Sequence, residues 1–571
     1  MRIKIINFAL VIMFILFSFS LFNLQVIRGR TFKDLSDKNC IRLLPQPGAR
    51  GKIKDRNQEI IVDNYLCYDV MILPENYIQL EKTLVTIAKI LEVSPNDLKN
   101  NYTQNYVAPF MPVVIAKNIE VKKAIALEEI KIDSPDIIIQ PHPLRYYPYG
   151  KLACHVIGYL SEIDRWRLTK LTDYGYKTKD IVGYSGVEEK YDYYLREEEG
   201  ALSQEVDHRG KFVRILGYRP AQNGKDIELT IDLKIQKIVE DNLGDKIGSV
   251  IIMDPFSGEI IALASSPGFD PKIFIKKRDS TITRLFNDSD AALMNRAISG
   301  VYPPGSIFKP VVAAAALQEK KINLGTTFFC SGGIDIGKRR FNCWDTHNTQ
   351  DLLAAITHSC DVFFYRTGLL LGAQAIHDYS LKFGLAKSTG IDLPYEVNGF
   401  VPDPLWKRIY RFQNWYDGDT ANFAIGQGDL LVTPIQIARM MAVFANKGFL
   451  VRPYIVKALD GQSILDYQKK LFSLNLKLDT LDSIRQGLRR VVSDPGGTAN
   501  VLSSLQVAVA GKTGTAQVST GQPHAWFCGF FPFKNPKFVI CVFLEHGGSG
   551  YRATLLTKKI IEEMIQEGLV K

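Results

Sequence analysis

Cysteine is scarce in this chain: eight residues among 571 are too few for a disulfide scaffold, which excludes the small cross-linked secreted folds. Charge of one sign is nowhere concentrated either. The formal net charge of +10 is spread along the chain, so there is no basic arm for nucleic acid, and a modest basic surplus suits work near anionic membrane or polymer surfaces. Long apolar runs are missing with one exception. Residues 5–27 carry no charged side chain, are dominated by Ile, Leu, Phe and Val, and are long enough to cross a bilayer as a helix.

That run exceeds the apolar core of a cleaved signal peptide and has no small-x-small cleavage site before Arg28, so it reads as an uncleaved anchor. Basic residues flank it on both sides, Arg2 and Lys4 before and Arg28, Arg30 and Lys33 after. The charge rule therefore favours neither orientation.

The length implies several domains. We expect a tail over residues 1–4, the anchor over 5–27, a pedestal domain over 28–225 and a second domain over 226–571. The pedestal region is punctuated by Pro45-Gln46-Pro47-Gly48, by Pro141, Pro143 and Pro148 in an extended segment, and by the Gly-rich turn Gly183-Tyr184-Ser185-Gly186-Val187-Glu188. The join is placed at the polar turn Pro220-Ala221-Gln222-Asn223-Gly224-Lys225.

In the second domain, β-rich runs at 249–253 and 259–264 flank Asp254-Pro255-Phe256-Ser257-Gly258 and read as a hairpin. Further strands are expected at 507–510, 525–531 and 538–544, with a closing amphipathic helix over 555–569. Strands at both ends with helices between them predict an α+β fold on one sheet assembled from distant segments. Thr433-Pro434-Ile435-Gln436 marks a helix start, and Gly448 a stop.

The chemistry begins at Ser306-Ile307-Phe308-Lys309. Tyr302-Pro303-Pro304-Gly305 stops the preceding structure, and the Ala-rich stretch 311–317 then propagates a helix. Ser306 and Lys309 share a face at its start, so an amine could take the hydroxyl proton. Alone, such a tetrad is more often a surface turn. Ser359-Cys360-Asp361 and Lys512-Thr513-Gly514-Thr515 are two more short motifs, each equally compatible with an ordinary loop or edge strand. Cys330, Cys343, His347 and Cys360 fall between the first two motifs, and three thiolates with an imidazole suit a closed tetrahedral zinc site. A Cys330–Cys343 disulfide, or simply buried thiols, fits the same residues.

In the order S-x-x-K, S-x-polar, K-T-G, the motifs resemble the penicilloyl-serine transferases. Asn295-Arg296-Ala297, Gly426-Gln427-Gly428 and His524-Ala525-Trp526-Phe527, with Arg50-Gly51-Lys52-Ile53-Lys54-Asp55-Arg56-Asn57 upstream, make the likeness one to class B penicillin-binding proteins over nearly the whole chain. Within that class it resembles the penicillin-binding protein 2 group, elongation-type D,D-transpeptidases.

The resemblance implies an acyl-enzyme on Ser306, Lys309 as the base with its pKa depressed by Lys512, and Ser359 as a proton relay. Asp361 stands where the class more generally has Asn. Lys512 and Thr513 would hold the substrate's terminal carboxylate, Thr513, Gly514 and Thr515 would line the substrate, and the N–H groups of Ser306 and Thr515 would form the oxyanion hole. It further implies peptidoglycan stem peptides as substrate, β-lactams as inhibitors, a periplasmic catalytic domain on the inner membrane, and a separate membrane-embedded glycan polymerase as partner. Zinc is also implied, because group members hold one in this interval with Asp, Cys and His ligands. A D,D-carboxypeptidase or β-lactamase-type hydrolase, and a β-lactam sensor or scaffold, are the rival readings.

Overall fold

The apolar run folds as helix Arg2–Phe22 with one π-turn, Asn23–Ile27, continuing it. In this computed structural model, which describes residues 2–570 other than 74–76, 107–111, 133, 135, 208–211, 276–279 and 465–470, Ile3–Ile27 is a helical run of 25 residues. At 1.5 Å per residue it is about 37 Å long, against a hydrocarbon core of about 30 Å. Among the described residues it is the one helix long and apolar enough to cross a membrane.

The chain gathers into two units, one of residues 1–51, 64–146 and 196–225 and one of 52–63, 147–195 and 226–571. In the first, helix Gly29–Cys40 leads into an antiparallel sheet ordered Ile41–Gln46, Gly200–Val206, Phe212–Arg219. A second core in this unit gathers Val70, Leu84, Ile87, Leu98, Ile115, Leu127 and Ile137. Pro141 and Pro143 lie in strand Ile137–Tyr146, extended as their fixed φ favours.

The second unit is built on a five-stranded antiparallel sheet in the order Ile260–Ser266, Gly248–Met253, Phe538–Leu544, His524–Phe531, Ala510–Ala516. The hairpin and the distant closing strands are thus one sheet, the α+β arrangement expected. Helix Pro434–Ala445 is buried at every position and packs against the sheet and helix Leu478–Ser493, as an all-round apolar helix must. Its start is the expected capping box: Thr433 Oγ1 accepts from Gln436 N–H at 3.3 Å, and Gln436 Oε1 from Thr433 N–H at 3.0 Å. Helices Leu233–Leu243 and Gly550–Gln566 also pack on the sheet.

Within the stretch read as the pedestal, 28–225, residues 52–63 and 147–195 gather with the second unit. Buried polar bonds hold 147–195 there: Ala153 N–H donates to Glu240 Oε1 at 2.7 Å, and Tyr191 O–H to Asp392 Oδ2 at 2.8 Å. The strand expected at 507–510 instead runs Ala510–Ala516, through the K-T-G motif itself. Its two glycines stand where other chain segments crowd it: a Cβ on Gly511 would lie 2.7 Å from the Cys528 carbonyl oxygen, and one on Gly514 2.9 Å from that of Pro304.

Candidate active site

Ser306 lies in a 3-10 turn, Gly305–Phe308, that runs directly into helix Lys309–Gln318. Side chains three apart eclipse in a 3-10 turn, which puts Ser306 and Lys309 on one side more directly than an α-helix would. The turn is clamped. Gly305 has φ +57°, and a Cβ there would lie 2.7 Å from the Thr515 carbonyl oxygen. Gly305 N–H donates to the Gly426 carbonyl at 2.9 Å, and a Cβ on Gly426 would lie 2.2 Å from the Gly305 oxygen. Trp526 Nε1–H donates to the Pro303 carbonyl at 3.1 Å. The segments around Tyr302, Gly426 and His524, separated by long stretches of chain, therefore converge on the serine turn.

Lys309 is fully buried, yet its Nζ finds three acceptors: the Ser359 carbonyl at 2.7 Å, Ser359 Oγ at 3.2 Å and Asp361 Oδ1 at 2.7 Å. Ser359 has φ +55°, a conformation non-glycine residues adopt at a cost. Asp361 opens helix Asp361–Leu371, where the dipole favours its negative charge. The Phe364 ring lies 5.4 Å from Lys309 Nζ.

Lys512 is also fully buried, with Nζ 3.2 Å from the Thr513 carbonyl. Burial holds its amine well below the usual lysine range, the Lys309 charge pushes the same way, and Asp361 opposes them. Lys309 is ion-paired to Asp361 at 2.7 Å. The aspartate that replaces Asn in the second motif supplies that charge.

The edge strand carries the remaining expected residues. Thr513 is 8% exposed, with Oγ1 2.7 Å from Thr498 Oγ1, while Thr515 is exposed and accepts Gly550 N–H at 3.0 Å. Thr498, in the run Gly496-Gly497-Thr498, is a neighbour the motifs did not reveal. A paired-glycine turn ahead of a polar residue was its only signal.

The ligating atoms of Cys330, Cys343, His347 and Cys360 all lie within 4.8 Å of one another. The pairing of Phe328–Cys330 with Asn348–Gln350, and the hairpin of Gly333–Ile336 and Arg339–Asn342, bring the first three together. His347 Nδ1 is 3.7 Å from Cys330 Sγ and 3.4 Å from Cys343 Sγ. A tetrahedron with Zn–S of about 2.3 Å and Zn–N of about 2.0 Å has edges of about 3.5–3.8 Å. Both the donor set and the spacing fit zinc. The eight cysteines are free thiols, so no Cys330–Cys343 disulfide is formed. A hydrogen bond from Cys360 pulls the Cys343 thiol down to about 4 and pushes Cys360 up. Asp361 N–H donates to Cys343 Sγ at 3.2 Å, joining this cluster to the second motif.

The family described as penicillin binding protein transpeptidase domain matches residues 248–566, and the penicillin-binding protein dimerisation domain matches 45–229. The peptidoglycan D,D-transpeptidase MrdA of Haemophilus influenzae is 30% identical over 96% of this chain and 89% of its own length. The chain belongs to the class B penicillin-binding proteins.

This penicillin-binding protein is an acyl-serine transpeptidase. Its fold is similar to that of the Helicobacter pylori penicillin-binding protein PBP2 in complex with MreC, with a TM-score of 0.84 and 28% identity over 93% of this chain and 99% of that one. It is also similar to a chain in a peptidoglycan synthase complex described as coordinating polymerization and crosslinking, with a TM-score of 0.75 and 27% identity over 98% and 97% of the two chains.

Proposed function

We propose that this penicillin-binding protein cross-links peptidoglycan stem peptides during wall elongation, with Ser306 as the nucleophile. The observation that carries the reading is the convergence of Ser359, Asp361 and a depressed Lys512 on the buried Lys309, one eclipsed turn from Ser306.

Ser306 Oγ attacks the carbonyl between the last two D-alanines, the C–N bond breaks, and D-alanine leaves with a proton. A substrate carboxylate sits beside Lys512 and Thr513, and Lys309, held by Ser359 and Asp361 next to the serine turn, is the amine that accepts the Ser306 proton. Ser359 Oγ, 3.2 Å from Lys309 Nζ, passes it to the leaving nitrogen. The N–H groups of Ser306 and Thr515 stabilise the oxyanion, and an amine from a second stem peptide resolves the ester. A β-lactam follows the first half and stops at the acyl-enzyme.

Zinc held by Cys330, Cys343, His347 and Cys360 would supply a structural cross-link behind the second motif. We place the catalytic unit on the periplasmic face of the inner membrane, a reading supported by an apolar helix, Ile3–Ile27, long enough for one span. Relatives described in complexes with MreC and in a peptidoglycan synthase support a membrane-embedded glycan polymerase as partner.

Labelling with a fluorescent penicillin tests the reading. The wild-type chain is expected to label and Ser306→Ala to remain dark; a labelled Ser306→Ala variant rejects the assignment.

A further inference from the structure

We infer that Thr498 is a positioning residue for this reaction: its hydroxyl donates to Thr513 Oγ1 and so turns the single Thr513 proton toward the substrate carboxylate. The inference rests on the reading above, in which Thr513 meets that carboxylate.

The two Oγ1 atoms are 2.7 Å apart and part-buried. A hydroxyl has one proton and two acceptor lone pairs, so only one of the pair donates to the other. A carboxylate only accepts. Thr513 therefore serves it only when its proton is not committed to Thr498. A hydrogen bond to a charged acceptor is roughly twice as strong as a neutral one, which turns the Thr513 proton outward as the carboxylate arrives. The Thr498 proton then fills the Thr513 lone pair, and the two bonds in series strengthen each other.

The backbone around Thr498 is built to hold it there. Helix Leu478–Ser493 ends in a tight turn in which Gly497 N–H donates to the Asp494 carbonyl at 2.9 Å and Ala499 N–H to that of Val491 at 3.0 Å. A Cβ on Gly497 would lie 2.3 Å from the Val491 oxygen, so glycine alone fits without a shift. Thr498 N–H reaches the Thr357 carbonyl at 3.4 Å, two residues before Ser359. Gly496 lies against the His358 ring, where a Cβ would be 3.2 Å from Nε2. Ala499 is fully buried. The turn thus touches both the chain entering the second motif and the strand of the third, and it offers a hydroxyl at the point where they meet.

A double-mutant cycle on the full chain, read as the rate of acylation by a fluorescent penicillin, tests this. Thr498→Val keeps the shape and removes the proton. It is expected to slow acylation about tenfold, the size of one hydrogen bond, with the melting temperature unchanged, and Thr498→Ser to recover most of the rate. In a Thr513→Val background, followed to long labelling times, Thr498→Val is expected to cause no further loss. If the valine variant does not fold, Thr498→Ala replaces it in the same cycle. A wild-type rate in the Thr498 variant, or an undiminished loss in the Thr513→Val background, overturns the inference. A wild-type chain that fails to label, or a labelled Ser306→Ala variant, rejects the underlying reading instead and is seen first.

Discussion

Lys309 Nζ lies 2.7 Å from Asp361 Oδ1, and the lysine is wholly buried while the carboxylate keeps 16% of its side-chain surface. Asp361 therefore balances a buried charge and fixes the amine that serves Ser306. Asp361→Asn keeps an acceptor and removes the charge. A loss of about 1–3 kcal/mol in stability is expected, the size of one hydrogen bond to a charged group, with slower acylation. Thermal melting and penicillin labelling on one preparation check this; wild-type values in both contradict it.

Gly426 has φ +75° and its missing Cβ would lie 2.2 Å from the Gly305 oxygen. Gly426→Ala must push away the turn that carries Ser306. We expect a loss of about 1–3 kcal/mol in stability and acylation slowed at least about tenfold by the misplaced nucleophile. Thermal melting and labelling, run on one preparation, read both; a variant with wild-type values in each shows that the clamp is dispensable.

His155 is 6% exposed, and burial pulls its ring down to about 4, with Arg296 adding in the same direction and the Ala292 carbonyl opposing. The unfolded chain binds this proton near pH 6.5, so between pH 6.5 and 4 the unfolded state holds more protons and stability falls as pH falls. The contribution is about 3 kcal/mol, complete above pH 6.5 and lost by about pH 4. Glu240, raised to about 7 by burial, works oppositely over part of this window: its contribution falls as pH rises from about 4.3 toward 7. The clean measurement is therefore the difference in melting temperature between wild type and His155→Gln, expected to move against wild type as pH drops. A constant difference contradicts it.

The cysteine–histidine cluster is expected to hold about one zinc per chain. Cys343→Ser should lose metal, melt earlier and acylate more slowly, because Asp361 N–H bonds that sulfur. Elemental analysis beside penicillin labelling decides the matter: fully active protein without zinc excludes the site.

Ser306, Lys309, Ser359, Asp361 and Lys512 were legible because each motif is local, with its spacing written in consecutive residues. The sheet was legible at Gly248–Met253, Ile260–Ser266 and Phe538–Leu544, where apolar β-formers run unbroken. The strand expected to stop at Ala510 runs on to Ala516, because its glycines, poor strand formers in sequence, meet the crowding by Pro304 and Cys528 in the fold. The depressed amine of Lys512 was not legible because burial depends on what surrounds a group in space. Thr498 escaped for the same reason, as did Cys528 and Cys541, which face each other across neighbouring strands.

Gly248 pairs with Leu544, and Lys512 with Cys528. The sheet that backs the nucleophile is thus closed by strands made almost last, and such remote pairing is slow to form. A chain that ends before Ala510 already contains Ser306 but lacks the strand that carries Lys512, so the site is complete only when the last-made strands have paired.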